Sequence, residues 1–421
     1  MKKIILFFCL STTIFISAQN INGRFSSSLY TLQRFNSEIS SENYLRAYEM
    51  LNLNLNYGKV SVRSFMNFET DVMTKMESDP RLRFYNLYLE ARDLLNVATI
   101  KLGRQPIING VAGGIYDGAS LTLKHNKFKL NAYAGGSVPA YQEFKLIENF
   151  EDNLIFGGKL TTTVIRNLQL GVGYVNKNFQ PKKYTALRED SLFNTIETII
   201  ENKSNQYQFI TGDLNYIQKD LVSIYTRADY DINFNQLSKF EFDARTDAVE
   251  KWSLNLYYNY RQPKIRYNSI FAVFDYGNTH EIELGADYKI NKLITVTGKF
   301  GNVQYKTENS QRIGFGFNTN YGSLTYRKTL GYAGELDAVS LYSAYTLFEG
   351  FFTPSVGVSY TSYKLSADSE TNSLTTLLVG ANVRPFRVLS FDLQGQYMDN
   401  KIYKNDLRVF FKLNYWFNLN L

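Results

Sequence analysis

The chain has 421 residues, of which 44% are hydrophobic, 20% charged and 15% aromatic, with 32 Tyr and 31 Phe against 7 Pro, 2 His and 1 Cys. That apolar content excludes a disordered chain, and so few His and Cys exclude a dense metal site or a multi-histidine catalytic centre. The formal charge of +7 falls to +5 without Lys2 and Lys3, and its signs are mixed along the chain, which excludes a nucleic-acid partner.

Met1-Lys2-Lys3 is a basic start, Ile4 to Ile16 an apolar run, and Ile16-Ser17-Ala18 a small-residue ending before Gln19. This pattern predicts a secretory signal peptide over 1–18 and a mature chain over 19–421. Cys9 lies inside the apolar run, so the mature chain would carry no cysteine and form no disulfide. No later stretch approaches the roughly 18 apolar residues of a transmembrane helix. A soluble exported protein and an outer-membrane barrel remain.

From residue 25 onward, apolar and polar residues alternate, which is the signature of strands with one greasy and one wet face. Val60, Val62, Met66 and Phe68 point one way while Arg63, Asn67, Glu69 and Asp71 point the other. Tyr85, Leu87, Leu89 and Ala91 oppose Asn86, Tyr88, Glu90 and Arg92. Trp252, Leu254, Leu256, Tyr258 and Tyr260 form one face of the next clear example, and Ile282, Leu284, Ala286 and Tyr288 another. The chain ends on Leu407, Val409, Phe411, Leu413, Tyr415, Phe417 and Leu419, opposed to Arg408, Lys412, Asn414 and Asn418.

The connections alternate between short turns, near 57–59, 93–95, 125–127, 166–167, 218–220, 291–292, 321–322 and 384–385, and mostly longer polar segments. The longer ones span 33–43, 71–81, 105–117, 138–152, 178–205, 262–278 and 364–373. Short turns on one side and long loops on the other predict a single all-β transmembrane barrel, with about 22 strands as the best count in a range of roughly 16 to 22. A soluble β-sandwich also alternates, but its strands have a mode of about 5–6 residues, whereas many here approach the roughly 9–11 needed to cross a bilayer. Tyr216, Trp252, Tyr288 and Phe417 near one set of strand ends, and Tyr174, Tyr230, Tyr260 and Tyr397 near the other, would form the two aromatic belts. Hydrocarbon offers no hydrogen-bond partner, so such a sheet must close on itself.

The last strand resembles the aromatic, alternating C-terminal strand by which outer-membrane barrels are recognised for insertion, although it ends on Leu421 where Phe is usual. Outer-membrane lipid and the barrel-assembly machinery are therefore expected partners in a Gram-negative-type envelope, with self-association left open. Strand-like alternation begins so early that no plug domain is expected ahead of the barrel. Segments 105–117, 178–205 and 262–278 are the candidates to fold inward. The first is glycine-rich and apolar, which suits a lumen-folded loop as well as an ordered cap or a lateral contact. The third contains Ile270-Phe271-Ala272-Val273-Phe274, apolar enough for an inward segment or an extra strand.

By parity the pore-lining charges are Arg46, Arg63, Glu90, Arg92, Lys101, Lys129, Lys159, Arg227, Lys239, Glu241, Asp243, Arg245, Lys299, Arg312, Arg327, Arg408 and Lys412. Level matching places Arg63, Glu90 and Lys101 near one another. Such a ladder would set a transverse field favouring anionic or zwitterionic solutes, and the plainer alternative is a set of ion pairs that keeps the wall wet. On the first alternative, Arg63→Ala or Lys101→Ala weakens anion preference. Gly171, Gly173, Gly314, Gly316 and Gly357 on the same face would permit tight curvature.

The residues Tyr88-Leu89-Glu90-Ala91-Arg92, Ile100-Lys101-Leu102-Gly103-Arg104-Gln105 and Asp117-Gly118-Ala119 resemble a hairpin of bacterial outer-membrane porins, and most of all the alginate-export family. That resemblance implies an 18-stranded barrel, with Glu90, Arg92, Lys101 and Arg104 as pore-wall or loop-anchoring residues. It covers roughly a tenth of the chain. A porin-like conduit carries over from it and the polysaccharide substrate does not.

His125 falls in a short turn, and His280 precedes Glu281 near Glu283 and Asp275, with no nucleophile elbow beside it. No enzyme, cofactor or metal site is expected; Glu148, Glu151 and Asp152 are too irregular for a calcium loop. The reading is a porin-like channel for passive diffusion of small polar solutes. Its rival is a non-conducting barrel that anchors a surface or secretion complex through loops 138–152 and 178–205.

Overall fold

Alternating segments leave every strand with two hydrogen-bonding edges, and in a closed sheet each edge finds a partner. The computed structural model describes residues 19–35, 40–73, 75, 79–107, 111, 113–139, 145–148, 150–178, 184–189, 193–200, 206–265, 267, 270–273, 276–331, 334–366, 369–400 and 405–420. The proposed signal peptide lies outside them.

The first eight strands are β1 (Asn20–Phe35), β2 (Ser41–Tyr57), β3 (Val60–Asp71), β4 (Arg81–Leu94), β5 (Ala98–Pro106), β6 (Ile115–His125), β7 (Phe128–Val138) and β8 (Leu154–Thr162). They are followed by β9 (Leu168–Lys177), β10 (Tyr184–Glu189), β11 (Thr195–Ile200), β12 (Tyr207–Gln218), β13 (Val222–Asp231), β14 (Gln236–Thr246), β15 (Trp252–Arg261) and β16 (Thr279–Lys289). The last eight are β17 (Ile294–Tyr305), β18 (Glu308–Thr319), β19 (Gly322–Gly331), β20 (Glu335–Ala344), β21 (Phe352–Lys364), β22 (Asn372–Phe386), β23 (Leu389–Asn400) and β24 (Asp406–Asn420).

Twenty-two of these form one antiparallel sheet in which each strand pairs with its neighbours in sequence, β9 pairs with β12, and β1 pairs with β24. The sheet is a closed barrel of 22 strands, not the 18 implied by the local family likeness. The remaining pair, β10 and β11, is a separate hairpin inside the predicted loop 178–205. Ile270–Val273 in segment 262–278 forms a short 3-10 turn, and no extra strand forms there among the described residues.

The seam between first and last strands is locked by amides. Ser26 Oγ donates to Asn414 Oδ1 at 2.7 Å, and Asn20 Nδ2 donates to Asn418 Oδ1 at 2.7 Å and to Asn420 Oδ1 at 2.6 Å. Asn54 Nδ2 extends the ladder to Asn22 Oδ1 at 3.0 Å. Each such bond adds a net contribution of about 1 kcal/mol where the first and last parts of the barrel must find each other.

Register fixes the faces. Phe315, Val379 and Leu393 are 58%, 55% and 54% exposed on one side of the wall. A wall so apolar on one side is stable only against hydrocarbon, so that face is the exterior. Trp252 and Tyr288 pack at 4.7 Å between ring centres at its lower rim, beside the short turn between β16 and β17. Both described chain ends, Gln19 and Asn420, lie at this short-turn end. The opposite end carries the long segments 72–80, 107–114, 139–153, 178–206 and 262–278, whereas β17–β18 and β19–β20 close there in tight turns. The register shifts at several places, and the shift between β3 and β4 makes Tyr85 an extra residue. Its ring stacks on Phe65 at 5.1 Å, on the face that also carries Arg63, instead of joining Leu87 and Leu89 outside.

Candidate channel wall and constriction

The inner wall carries its charges in ion-paired groups, some across strands and some between residues two apart on one strand. Arg46 on β2 meets Asp71 at 2.7 Å and Glu69 at 3.2 Å on β3, and Arg81 on β4 also reaches Glu69. Glu90 is shared by Arg63 at 3.4 Å, Lys101 at 3.6 Å and Arg92 at 3.8 Å. Arg63, Glu90 and Lys101, which strand level predicts to be neighbours, meet here. Farther round, Lys159 reaches Asp213, Arg227 reaches Asp229 at 2.8 Å, and Lys239 reaches Glu241 at 2.6 Å. Arg245 lies 3.4 Å from Asp287, Lys299 2.9 Å from Glu283, Arg312 2.7 Å from Glu281, and Arg408 2.8 Å from Asp406.

The acidic partners Glu69, Asp71, Asp213, Asp229, Glu281, Glu283, Asp287 and Asp406 were missed as site residues by parity reasoning that selected mainly cations. Their own alternation would have found them. Asp243 shares the face of Glu241 and Arg245 by register. Lys129, Arg327 and Lys412 hold inward register positions and have no ion pair among the described residues. In contrast, β20 to β22 present no charge inward over their middle portion, where Ser340, Ser359 and Thr376 lie side by side and Gly357 opposes Leu378.

The described residues of segment 107–114 pack against this inner wall. Ile107 packs with Tyr116, Tyr133 and the fully buried Ile155, and Val111 packs with Val175, Phe209 and Tyr207. Ile155, Val175 and Phe209 share the register face of Lys159 and Asp213, which puts the loop on the lumen side. Two ammonium groups pin its backbone. Lys177 Nζ donates to Gly113 O at 2.5 Å, and Lys264 Nζ donates to Val111 O at 3.0 Å while lying 5.7 Å from the centre of the Phe209 ring. Gly114 has φ of +131°, and a Cβ there would stand 3.0 Å from Lys177 Nζ, so glycine meets both demands. Residues 108–110 and 112 lie outside the described residues.

Arg104 is a correction. It follows Ile100 and Leu102 on the outward register face, pairs across strands with Asp117, and is 4% exposed, so it does not line the pore. Its Nε donates to Asp117 Oδ1 at 2.7 Å and its NH2 group to Asp117 Oδ2 at 2.8 Å. The same NH2 group donates to Lys145 O at 2.8 Å, and Ile147 N donates to Asp117 Oδ2 at 3.2 Å. The pair therefore anchors segment 145–148, the second role that the family likeness allowed.

His280 also faces outward. Its Nδ1 is 3.0 Å from Tyr258 Oη, and its ring centre is 5.0 Å from that of Tyr260. Glu281 and Glu283 lie on the opposite face, so no acid–base pair forms with them; Asp275 lies outside the described residues. His125 is the exposed last residue of β6, beside Asn126 in the turn. Among the described residues no His, Cys, Asp and Glu group is arranged to hold a metal, and no helix is long and apolar enough to cross a membrane.

A closed antiparallel wall with an apolar exterior and a charged interior defines a transmembrane β-barrel of the outer-membrane kind. In backbone shape the chain is similar to the P pilus usher (PapC) translocation pore, with 10% identity, a TM-score of 0.47, and 95% of this chain and 99% of that chain covered. It is also similar to OccAB4 of Acinetobacter baumannii, with 11% identity, a TM-score of 0.45, and 96% and 99% covered. Against the E. coli P pilus tip assembly intermediate PapC-PapD-PapK-PapG the TM-score is 0.55 at 9% identity, over 94% of this chain and 61% of that one. At such identity this last likeness speaks for the barrel fold alone. No family model matches the chain, and no curated protein matches it.

Proposed function

We propose that the protein is a passive, porin-like channel for small polar solutes in the outer membrane of a Gram-negative-type envelope, exported by the segment 1–18. The observation that carries this reading is the inner wall, charged through most of its circumference and including cations without an ion-pair partner among the described residues. A cation with no ion-pair partner adds no pairing energy to the wall, so such groups are not explained by stability. Facing water, they act on passing solutes, and Lys129, Arg327 and Lys412 bias the lumen toward anions.

Size supports the same reading. Barrels of about 16–18 strands already enclose an aqueous channel, and this one has more. Among the described strands, substantial contacts run between sheet neighbours and not across the lumen. Segment 107–114 narrows the passage from one side. Outer-membrane lipid and the assembly machinery, engaged through β24, are the partners this setting entails, and a homo-oligomer is compatible with it. The test is liposome swelling with sugars of rising size. Influx that falls with solute size supports the channel, and liposomes bearing folded protein that never swell refute it.

A second reading, a non-conducting scaffold for a surface or secretion complex, has one observation in its favour. The β10–β11 hairpin pairs only with itself among the described strands, as a docking element would.

A further inference from the structure

A cavity of about 260 Å³ opens at the long-loop end, walled by the turn joining β13 to β14 and by two limbs of segment 262–278. Its described lining includes Asp231, Gln236, Ser238, Gln262, Tyr276 and Asn278. None of the pore charges described above belongs to it.

The frame is held from several sides. Asp231 Oδ1 accepts the backbone N–H groups of Asn233 at 3.0 Å and Phe234 at 3.3 Å, which shapes the turn. The Gln262 backbone N–H donates to Ser238 O at 2.8 Å and holds the first limb. Tyr305 Oη donates to Tyr276 O at 2.6 Å and holds the second. Phe234 packs edge-on against Tyr267 at 5.3 Å between ring centres.

The chemistry of the lining is specific. Asp231 is 7% and Ser238 4% exposed, so a carboxylate and a hydroxyl are held away from bulk water. Asp231 Oδ2 makes no hydrogen bond among the described residues. Gln236, Gln262 and Asn278 add amides that both donate and accept, and Phe234, Tyr276, Pro263 and Ile265 add apolar surface. Of the described lining residues Asp231 alone is charged, and Lys264, between Pro263 and Ile265, offsets that charge, so the site offers a ligand little net charge. Paired hydroxyls suit one carboxylate flanked by amides, while the C–H face of a sugar ring suits an aromatic wall.

We propose that this cavity is a capture site for a neutral sugar of one or two rings at the outer mouth of the barrel. Binding here goes beyond the channel reading and does not depend on conduction. Asp231 accepts from sugar hydroxyls through Oδ2, the amides of Gln236 and Asn278 read neighbouring hydroxyls, and Tyr276 covers the ring.

The test is titration calorimetry on the full detergent-solubilised barrel with sucrose and maltose, and with choline and gluconate as charged probes. Saturable binding of a neutral sugar is expected, weakened about tenfold or more in Asn278→Ala and in Asp231→Asn, as loss of one buried hydrogen bond requires. Because Asp231 also shapes its turn, Gln236→Ala and Asn278→Ala, which leave that turn intact, decide the outcome. Absence of saturable sugar heat overturns the proposal, as does undiminished affinity in both variants. Binding of choline or gluconate with no binding of either sugar overturns it too. No membrane is present in the measurement, so this failure leaves the channel reading standing, and a silent bilayer leaves this one standing.

Discussion

Lys264 Nζ donates a hydrogen bond of 3.0 Å to the carbonyl oxygen of Val111, joining two long-end segments 153 positions apart in sequence. With Lys177 on Gly113 O, it fixes an apolar loop against the inner wall instead of leaving it over the mouth. Lys264→Ala should weaken that anchoring by about 1 kcal/mol. The amide of Ile107, which donates to Gly114 O at 2.8 Å, should then exchange hydrogen several-fold faster. Single-channel records of the same variant should show more frequent conductance transitions. Unchanged exchange at Ile107 would show that apolar packing alone holds the loop.

The Arg104–Asp117 pair should act on stability and not on permeation. Removing one member leaves a buried charge without its partner, at a cost of about 3–5 kcal/mol. Arg104→Ala or Asp117→Ala should lower the thermal midpoint clearly while leaving ion selectivity unchanged in whatever barrel folds. The double change Arg104→Leu with Asp117→Leu should recover much of the loss. A selectivity change in Arg104→Ala would return this residue to the pore wall.

Selectivity should depend on which inner charges are already paired. Arg63 and Lys101 both lean on Glu90, so their removal to Ala should shift anion preference less than Lys129→Glu, Arg327→Glu or Lys412→Glu. Each reversal changes the local charge by two units and should change the permeability ratio about fivefold, because a unit charge several ångströms from the path acts through water with roughly 0.5 kcal/mol. Glu90→Gln should raise anion preference by releasing Arg63, Arg92 and Lys101. Reversal potentials in a salt gradient measure all of these, and a flat series would mean the charges only hold the wall together.

Closure of the barrel has a direct chemical test. Ser26 and Asn414 are register partners with touching side chains, within the spacing a disulfide accepts. Ser26→Cys with Asn414→Cys should cross-link on oxidation and yield a species that stays compact in detergent after heating. Free thiols in the folded double variant would show that β1 and β24 do not meet.

Much of this architecture is legible as parity. Strand pairing preserves the two faces from one end of the sheet to the other, so alternation alone puts Arg63, Glu90, Lys101, Glu241 and Arg327 on one surface. The same rule sets Arg104 beside Leu102 on the outer face, which selects the loop-anchoring one of the two roles that the family likeness implies. Tyr85 is different, since a one-residue bulge has no mark in the local pattern and turns the ring inward. The fate of segment 105–117 was undecided in the sequence because its contacts, with Val175, Phe209 and Lys264, come from distant strands. Ion-pair partners were partly hidden for a related reason. Which Asp or Glu reaches which cation depends on the stagger of neighbouring strands, and no single segment encodes it. The β10–β11 hairpin was concealed by its length, since two six-residue strands sit within what reads as one long polar loop.

The most direct measurement is the current through a planar bilayer containing the purified, folded barrel. Stable ohmic steps are expected, with a mild preference for anions and a larger step size in Lys264→Ala. Electrical silence from protein whose Ser26–Asn414 cross-link proves the barrel closed would contradict a water-filled passage and leave the scaffold reading in its place.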